Sequence, residues 1–337
     1  MTEIALALQG GGAHGAFTWG VLERLLDEPE LTINGVSGTS AGAMNACALA
    51  QGLARDGVAG AKAELRAFWH GISESGAALA NPYTTSPMHA VARSWNLDWS
   101  PMALWLDVMA QFVSPYQLNP LDHNPLRALI EERFDFDLLR RDGALRIYVC
   151  ATNLQTNKMR IFNNADLSSE ALLASACLPQ LHRAVQVDDG YYWDGGFIGN
   201  PVLKPLIRVC GARDILLIQL NPTRREQLPI SSRDIMDRLN EVTMNASLMR
   251  ELDVIHTINR LVRDGQLTNP RYQEIRLHKI ADPEVMGALG LRSKNNTSWR
   301  FLIYLRDVGR RRASAWLEEN RGRIGREATL DLEEFAV

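Results

Sequence analysis

Apolar and polar positions along the chain fall into blocks whose period switches between strand and helix. Residues 3–9 form a short apolar run ending in glycines, and 15–27 place Phe17, Val21, Leu22, Leu25 and Leu26 at helical spacing. A second strand over 32–37 runs into Gly38-Thr39-Ser40-Ala41-Gly42, and the alanine-rich 41–54 continues as a helix. This βαβα opening predicts a mostly parallel central sheet with helices on both faces. Further strands are expected at 146–152, 158–162, 185–187 and 214–220, and a short aromatic strand leads into Asp194. The prolines and charges of 221–233 read as a linker. Beyond it, apolar residues at 235, 239, 242, 246, 249, 252, 255, 258 and 262 step by three or four. That spacing describes one long amphipathic helix, capped by Ser231 or Ser232 and stopped at Gly265. A strand near 271–278 and a last helix near 296–322 complete the chain.

The segment 81–121 breaks this pattern. It holds Trp95, Trp99 and Trp105 with five prolines, and only Arg93, Asp98 and Asp107 carry charge. Prolines interrupt any long helix, and long connections inside a domain usually serve function, so the segment reads as a cap or lid. Its scarcity of charge makes Trp95, Trp99 and Trp105 candidate contacts for an apolar substrate.

Composition narrows the classes. With 337 residues, 46% apolar and 22% charged, the chain is ordinary globular material, which excludes a disordered tract, a collagen-like repeat or a coiled-coil rod. Its 36 basic and 39 acidic residues give a net charge of −3, which argues against nucleic acid as a partner. Cys47, Cys150, Cys177 and Cys210 form no C-x-x-C pair, so neither a zinc site nor a disulfide framework is indicated. The first residues carry Glu3 and no basic side chain before the glycines, unlike a cleavable signal peptide. No uncharged apolar stretch approaches the ~20 residues of a spanning helix. A cytoplasmic location is expected, with the inner face of a membrane as a candidate peripheral surface. Only 292–326 departs from charge balance, with ten basic residues against Asp307, Glu318 and Glu319. Two readings of this segment stay open: a solvated helix packed on the core, or a basic amphipathic helix on an anionic bilayer.

Three short motifs carry chemistry. Gly10-Gly11-Gly12-Ala13-His14-Gly15 lies where the first strand meets the first helix. Amides at a helix start are unpaired, and successive glycines let an oxygen anion approach them. The loop also fits G-x-G-x-x-G, but the second strand ends in the Ser40 turn rather than in the acidic residue that a dinucleotide ribose requires. The second motif, Gly38-Thr39-Ser40-Ala41-Gly42, is a G-x-S-x-G at a strand-to-helix turn, the setting that exposes a nucleophilic serine. A buried serine at an alanine-rich helix start is the plainer alternative. None of the histidines after Ser40 sits in a strand-end glycine context. Asp194, followed by Gly195 and Gly196, does. An aspartate is a poor base unless desolvated, and Trp193 and Phe197 could supply the apolar wall. A simple turn aspartate is the alternative here.

Together, and in this order, the motifs resemble the patatin-like phospholipase family. Cys150-Ala151-Thr152-Asn153-Leu154 and Ala174-Ser175-Ala176-Cys177-Leu178-Pro179 add to the similarity, which spans residues ~4–210. The resemblance implies a three-layer α/β/α fold with a mostly parallel central sheet and a helical C-terminal extension. It divides the chain into a catalytic domain over 4–210, with 81–121 as its cap, and a strand and helical extension over 211–337. It implies Ser40 as nucleophile and Asp194 as its sole partner, with Gly10, Gly11 and Gly12 as oxyanion hole. His14, Gly15, Gly38, Gly42, Gly195 and Gly196 would be supporting motif positions. The implied activity is hydrolysis of lipid acyl esters, without metal or cofactor. Hydroxyalkanoate polyesters, acyl thioesters and non-catalytic lipid binding are the alternatives, and oligomeric state stays open. One departure stands out: the family loop usually carries Arg or Lys at the position of His14. Any electrostatic role there becomes pH-dependent if the imidazole titrates near neutrality. A plain hydrogen bond from His14 to a neighbour is the alternative.

Overall fold

The computed structural model describes residues 2–79, 95, 114–119 and 121–335. The apolar runs form one eight-stranded sheet: β1 (Thr2–Leu8), β2 (Leu31–Gly38), β3 (Ile147–Asn153), β4 (Met159–Asn163), β5 (Val185–Val187), β6 (Gly190–Asp194), β7 (Asp214–Ile218) and β8 (Arg276–Ile280). Its order is β5-β6-β3-β2-β1-β7-β8, with β4 paired to β3. Strands β3, β2, β1, β7 and β8 run parallel, whereas β4 and β6 are antiparallel to β3. The sheet is therefore mixed, and its parallel half carries the two glycine turns. Strand β7 pairs directly with β1, so the region after residue 210 contributes to the same sheet.

Side chains alternate across a strand, so β1 feeds both faces. Ile4, Leu6 and Leu8 pack into a large core with helices α1 (Gly15–Leu25), α2 (Ala41–Leu79), α3 (Pro125–Arg133) and α4 (Ser169–Ser175). Ala5 and Ala7 face a second core, which includes Leu248, Leu252 and Ile255 of α5 (Ser232–Arg263). This is the three-layer α/β/α arrangement. Helix α2 outruns its expected end at residue 54; the backbone breaks at Asp56-Gly57, where Gly57 takes φ +55°, and resumes to Leu79. Helix α5 starts as the sequence indicates, with the Ser231 hydroxyl accepting from the Asp234 amide. Its first apolar positions do not reach the core: Ile235, Leu239 and Val242 are about half exposed, and burial begins at Glu241 and Met244.

The basic C-terminal helix α6 (Trp299–Asn320) buries Phe301, Leu302, Leu305, Val308, Ala313 and Leu317 against the core. Several of its cations meet carboxylates of this chain, Arg310 pairing with Glu23 and Asp27, and Arg312 with Asp282. The apolar stripe is thus spent on the core rather than presented to a bilayer. Of the 81–121 tryptophans, Trp95 packs against Phe301 and Tyr304 of α6, at 5.2 and 5.6 Å between ring centres. Trp99 and Trp105 lie outside the described residues, as does the expected cap apart from 95, 114–119 and 121.

One feature of register positions the site. Thr152 of β3 pairs with Met159 on one side and Trp193 on the other, so β4 and β6 occupy opposite edges of β3. Val149 pairs with Phe162 and with Gly38, so β2 also lies opposite β4. Hence β2 and β6 meet head-on along one edge of β3, and their ends carry Ser40 and Asp194.

Candidate active site

The strand-to-helix turn after β2 places Ser40 at φ +55°, a conformation that non-glycine residues adopt rarely and that marks a nucleophile elbow. Neighbours hold it there. The Ser40 amide donates to Ser175 Oγ at the end of α4 (2.9 Å), and the Thr39 hydroxyl donates to the Gly199 carbonyl (2.6 Å). Helix α2 begins at the next residue, so its positive dipole end lies beside the serine, with the Gly42 and Ala43 amides donating to the Thr39 and Ser40 carbonyls. Gly38 closes β2, and Gly42 lies in the first turn of α2.

Across the head-on junction, Asp194 is 3% exposed, and the Ser40 hydroxyl lies near enough to its side chain to favour the ionised carboxylate. The Gly196 amide donates to Asp194 Oδ1 (2.7 Å), the Asp194 amide donates to the Cys177 carbonyl (2.8 Å), and Thr152 Oγ1 donates to its carbonyl (2.8 Å). Gly195 and Gly196 form the short turn behind it. Burial pushes the carboxyl up from 3.8 to about 6, against the pull of the Gly196 amide, the Ser40 hydroxyl and the Lys294 charge. Trp193 does not supply the expected apolar wall: adjacent strand residues point to opposite faces, so Trp193 points away from Asp194.

The glycine loop lies against the elbow. A Cβ on Gly10 would sit 2.9 Å from Ser40 Cβ and 2.7 Å from the Thr39 carbonyl oxygen, so only glycine allows this approach. Gly10 is not an open oxyanion donor, because its amide donates to Asn200 Oδ1 (2.6 Å). Its carbonyl accepts from Asn221 Nδ2 (3.1 Å). Among the described residues, the Gly11 and Gly12 amides have no protein acceptor. Gly12 adopts φ +57° and starts a single 3-10 turn, after which Gly15 opens α1.

Four carboxamides behind the loop, Gln9, Asn200, Asn221 and Asn245, carried no sequence signal. Gln9 Oε1 accepts from the amides of Leu220 and Asn221, and its Nε2 donates to Asn245 Oδ1 and the Asn200 carbonyl. The stretch that reads as a linker therefore begins with a buried part of the site. No cluster of three or more potential metal ligands occurs among the described residues.

A β2 elbow serine, a glycine cradle one βα unit upstream and a buried Asp-Gly-Gly now stand in one constellation. The patatin-like phospholipase profile matches residues 6–207. The chain belongs to the patatin-like phospholipase family. That family's general activity is lipid acyl hydrolysis. The crystal structure of VipD from Legionella pneumophila is similar to this patatin-like chain at 17% identity and a TM-score of 0.36, over 91% of this chain and 67% of VipD. No curated protein sequence matches. Among the described residues of this patatin-like protein, no helix is long and apolar enough to cross a membrane.

His14 requires a correction in this patatin-like site. Burial, aided by the charge of Lys294, lowers its imidazole from 6.5 to about 3, so it does not titrate near neutrality. The Ser293 hydroxyl donates to the Gly290 carbonyl (2.6 Å), so in the 2.7 Å contact between His14 Nε2 and Ser293 Oγ the imidazole is the donor. That bond fixes the neutral Nε2–H tautomer and gives His14 a tethering role. His14→Gln is expected to leave the pH dependence of activity between about pH 5 and 8 unchanged. A flattened profile for the variant, measured on a soluble ester, would restore the titrating role.

Proposed function

We propose that this protein is a serine acyl hydrolase of lipid esters that works through a Ser40-Asp194 dyad and an acyl-enzyme. The single observation that supports the reading is that the Ser40 elbow and a buried Asp194 come together at one edge of β3, near the unpaired amides of Gly11 and Gly12. As Ser40 Oγ attacks the ester carbonyl carbon, its proton passes to the Asp194 carboxylate. The electron pair of the carbonyl moves to its oxygen, which the Gly11 and Gly12 amides receive. Collapse of the tetrahedral intermediate breaks the C–O bond, and the departing alcohol takes the proton from Asp194. Water then gives its proton to Asp194 while its oxygen attacks the acyl carbon, and Ser40 leaves reprotonated.

An aspartate near its ordinary pKa would accept a proton poorly, whereas a carboxyl raised to about 6 is better matched to neutral pH. The sign follows directly. Asp194 must be ionised to act as a base, so activity rises as pH climbs through about 6 and falls below it. The direct test is release of p-nitrophenol from a short-chain ester, followed by peptide mapping after fluorophosphonate treatment. The expected result is turnover with a single label on Ser40. A label on another residue, or no turnover and no label, would overturn the reading.

A further inference from the structure

We propose that Lys294, in the loop between β8 and α6, is a positioning residue of the active site: it fixes the glycine loop in its open-amide form and supplies a buried cation whose charge reaches Asp194. The inference rests on the Ser40-Asp194 reading and deepens it. Residue 294 lies beyond the family-matched stretch 6–207, so the C-terminal region completes the site.

Lys294 touches the loop by two routes. Its backbone carbonyl presses on the turn, since a Cβ on Gly12 would sit 2.5 Å from that oxygen. Its Nζ donates to Asn221 Oδ1 (2.7 Å) and Asn240 Oδ1 (2.6 Å), and Asn221 in turn holds the Gly10 carbonyl. The preceding residue, Ser293, accepts from His14 on the far side of the turn. The two open amides thus lie between Gly10, anchored by Asn200 and Asn221, and His14, anchored by Ser293.

The ammonium feels the charges of Glu241 and Asp237 of α5 and Asp194 of β6, and its own charge helps keep His14 neutral. Glu241 already pairs with Arg225 and Arg238, and Asp237 accepts from the Leu291 amide. Asp194 itself feels the charge of Lys294, and its own charge acts on the thiols of Cys150 and Cys177, which burial keeps protonated. Lys294 therefore stabilises the ionised form of Asp194 across neutral pH. Burial brings the ammonium down to about 8, so this support fades in mild alkali.

The experiment compares wild type with Lys294→Met and Lys294→Arg, measuring kcat and KM on a p-nitrophenyl ester against pH. In parallel, 13C NMR follows the Asp194 carboxyl carbon, assigned through Asp194→Asn. Lys294→Met is expected to lower kcat by about tenfold or more with little change in KM, as a displaced catalytic loop does. Its Asp194 carboxyl is expected to titrate higher by on the order of half a pH unit, because a nearby opposite charge is gone. Lys294→Arg is expected to restore the titration and to remove the loss of activity near pH 8. An unshifted carboxyl in Lys294→Met, or equal losses in both variants with a common drop in melting temperature, would overturn the assignment. If wild type turns over no ester, the Ser40 reading fails by itself, and the carboxyl titration still decides the role of Lys294.

Discussion

Asp194→Asn is expected to lower kcat for ester hydrolysis by about 10⁴-fold, and Ser40→Ala at least as much, while the double variant is little worse than either, because groups that act as one unit lose their effect together. The asparagine is isosteric and can still accept from the Gly196 amide, so the backbone turn survives. What it cannot do is take a proton. Stability should move the other way. A carboxyl whose folded pKa is raised from 3.8 to about 6 binds protons more tightly in the folded state. Its contribution is favourable below the unfolded value and is lost as pH rises through about 6. At neutral pH the ionised Asp194 then costs on the order of 3 kcal/mol, and Asp194→Asn recovers up to that amount. Thermal unfolding at pH 4 and pH 7.5 checks this: the variant gains over wild type at the higher pH and much less at the lower. An inactive variant that is also less stable at neutral pH would point to a structural role for Asp194.

Gly12→Ala is expected to lower kcat by about 10²–10³-fold, the usual consequence of displacing an oxyanion donor. Two features combine at this position. The backbone is at φ +57°, and the added methyl would come within 2.5 Å of the Lys294 carbonyl oxygen. Either the turn or the 290–296 loop must move, and both lie over the open amides. Fluorophosphonate labelling of Ser40 should slow in step with ester turnover, since both reactions use the same cradle. Unchanged turnover would place the oxyanion elsewhere.

Much of this architecture was legible in the chain. The βαβα opening, the elbow at Ser40 and the glycine turn before α1 are local features, written in apolar period and glycine placement. The Asp-Gly-Gly turn was visible as well, though not its neighbour. That Asp194 meets Ser40 depends on β2 and β6 sharing one edge of β3, a long-range register that no local pattern records. The second half of α2 was readable and missed: Ala61, Leu65, Phe68 and Trp69 repeat at helical spacing and are buried. The exposed start of α5 shows the converse, a clean apolar period at Ile235, Leu239 and Val242 that finds no core. Gln9, Asn200, Asn221 and Lys294 were invisible for another reason. Polar residues scattered over almost the whole chain acquire meaning only when folding removes water from around them. Of the two readings open for His14, the structure carries the plainer one, a hydrogen bond to a neighbour, because the imidazole is held by Ser293 in the interior.

The central claim is that Asp194 accepts the Ser40 proton. Its most direct test is the rate of fluorophosphonate labelling of Ser40 between pH 4.5 and 8, in wild type and in Asp194→Asn. The predicted outcome is a wild-type rate that climbs through one transition near pH 6, and no measurable labelling of the variant at any pH. Labelling of Asp194→Asn at close to the wild-type rate, with the same transition, would contradict it.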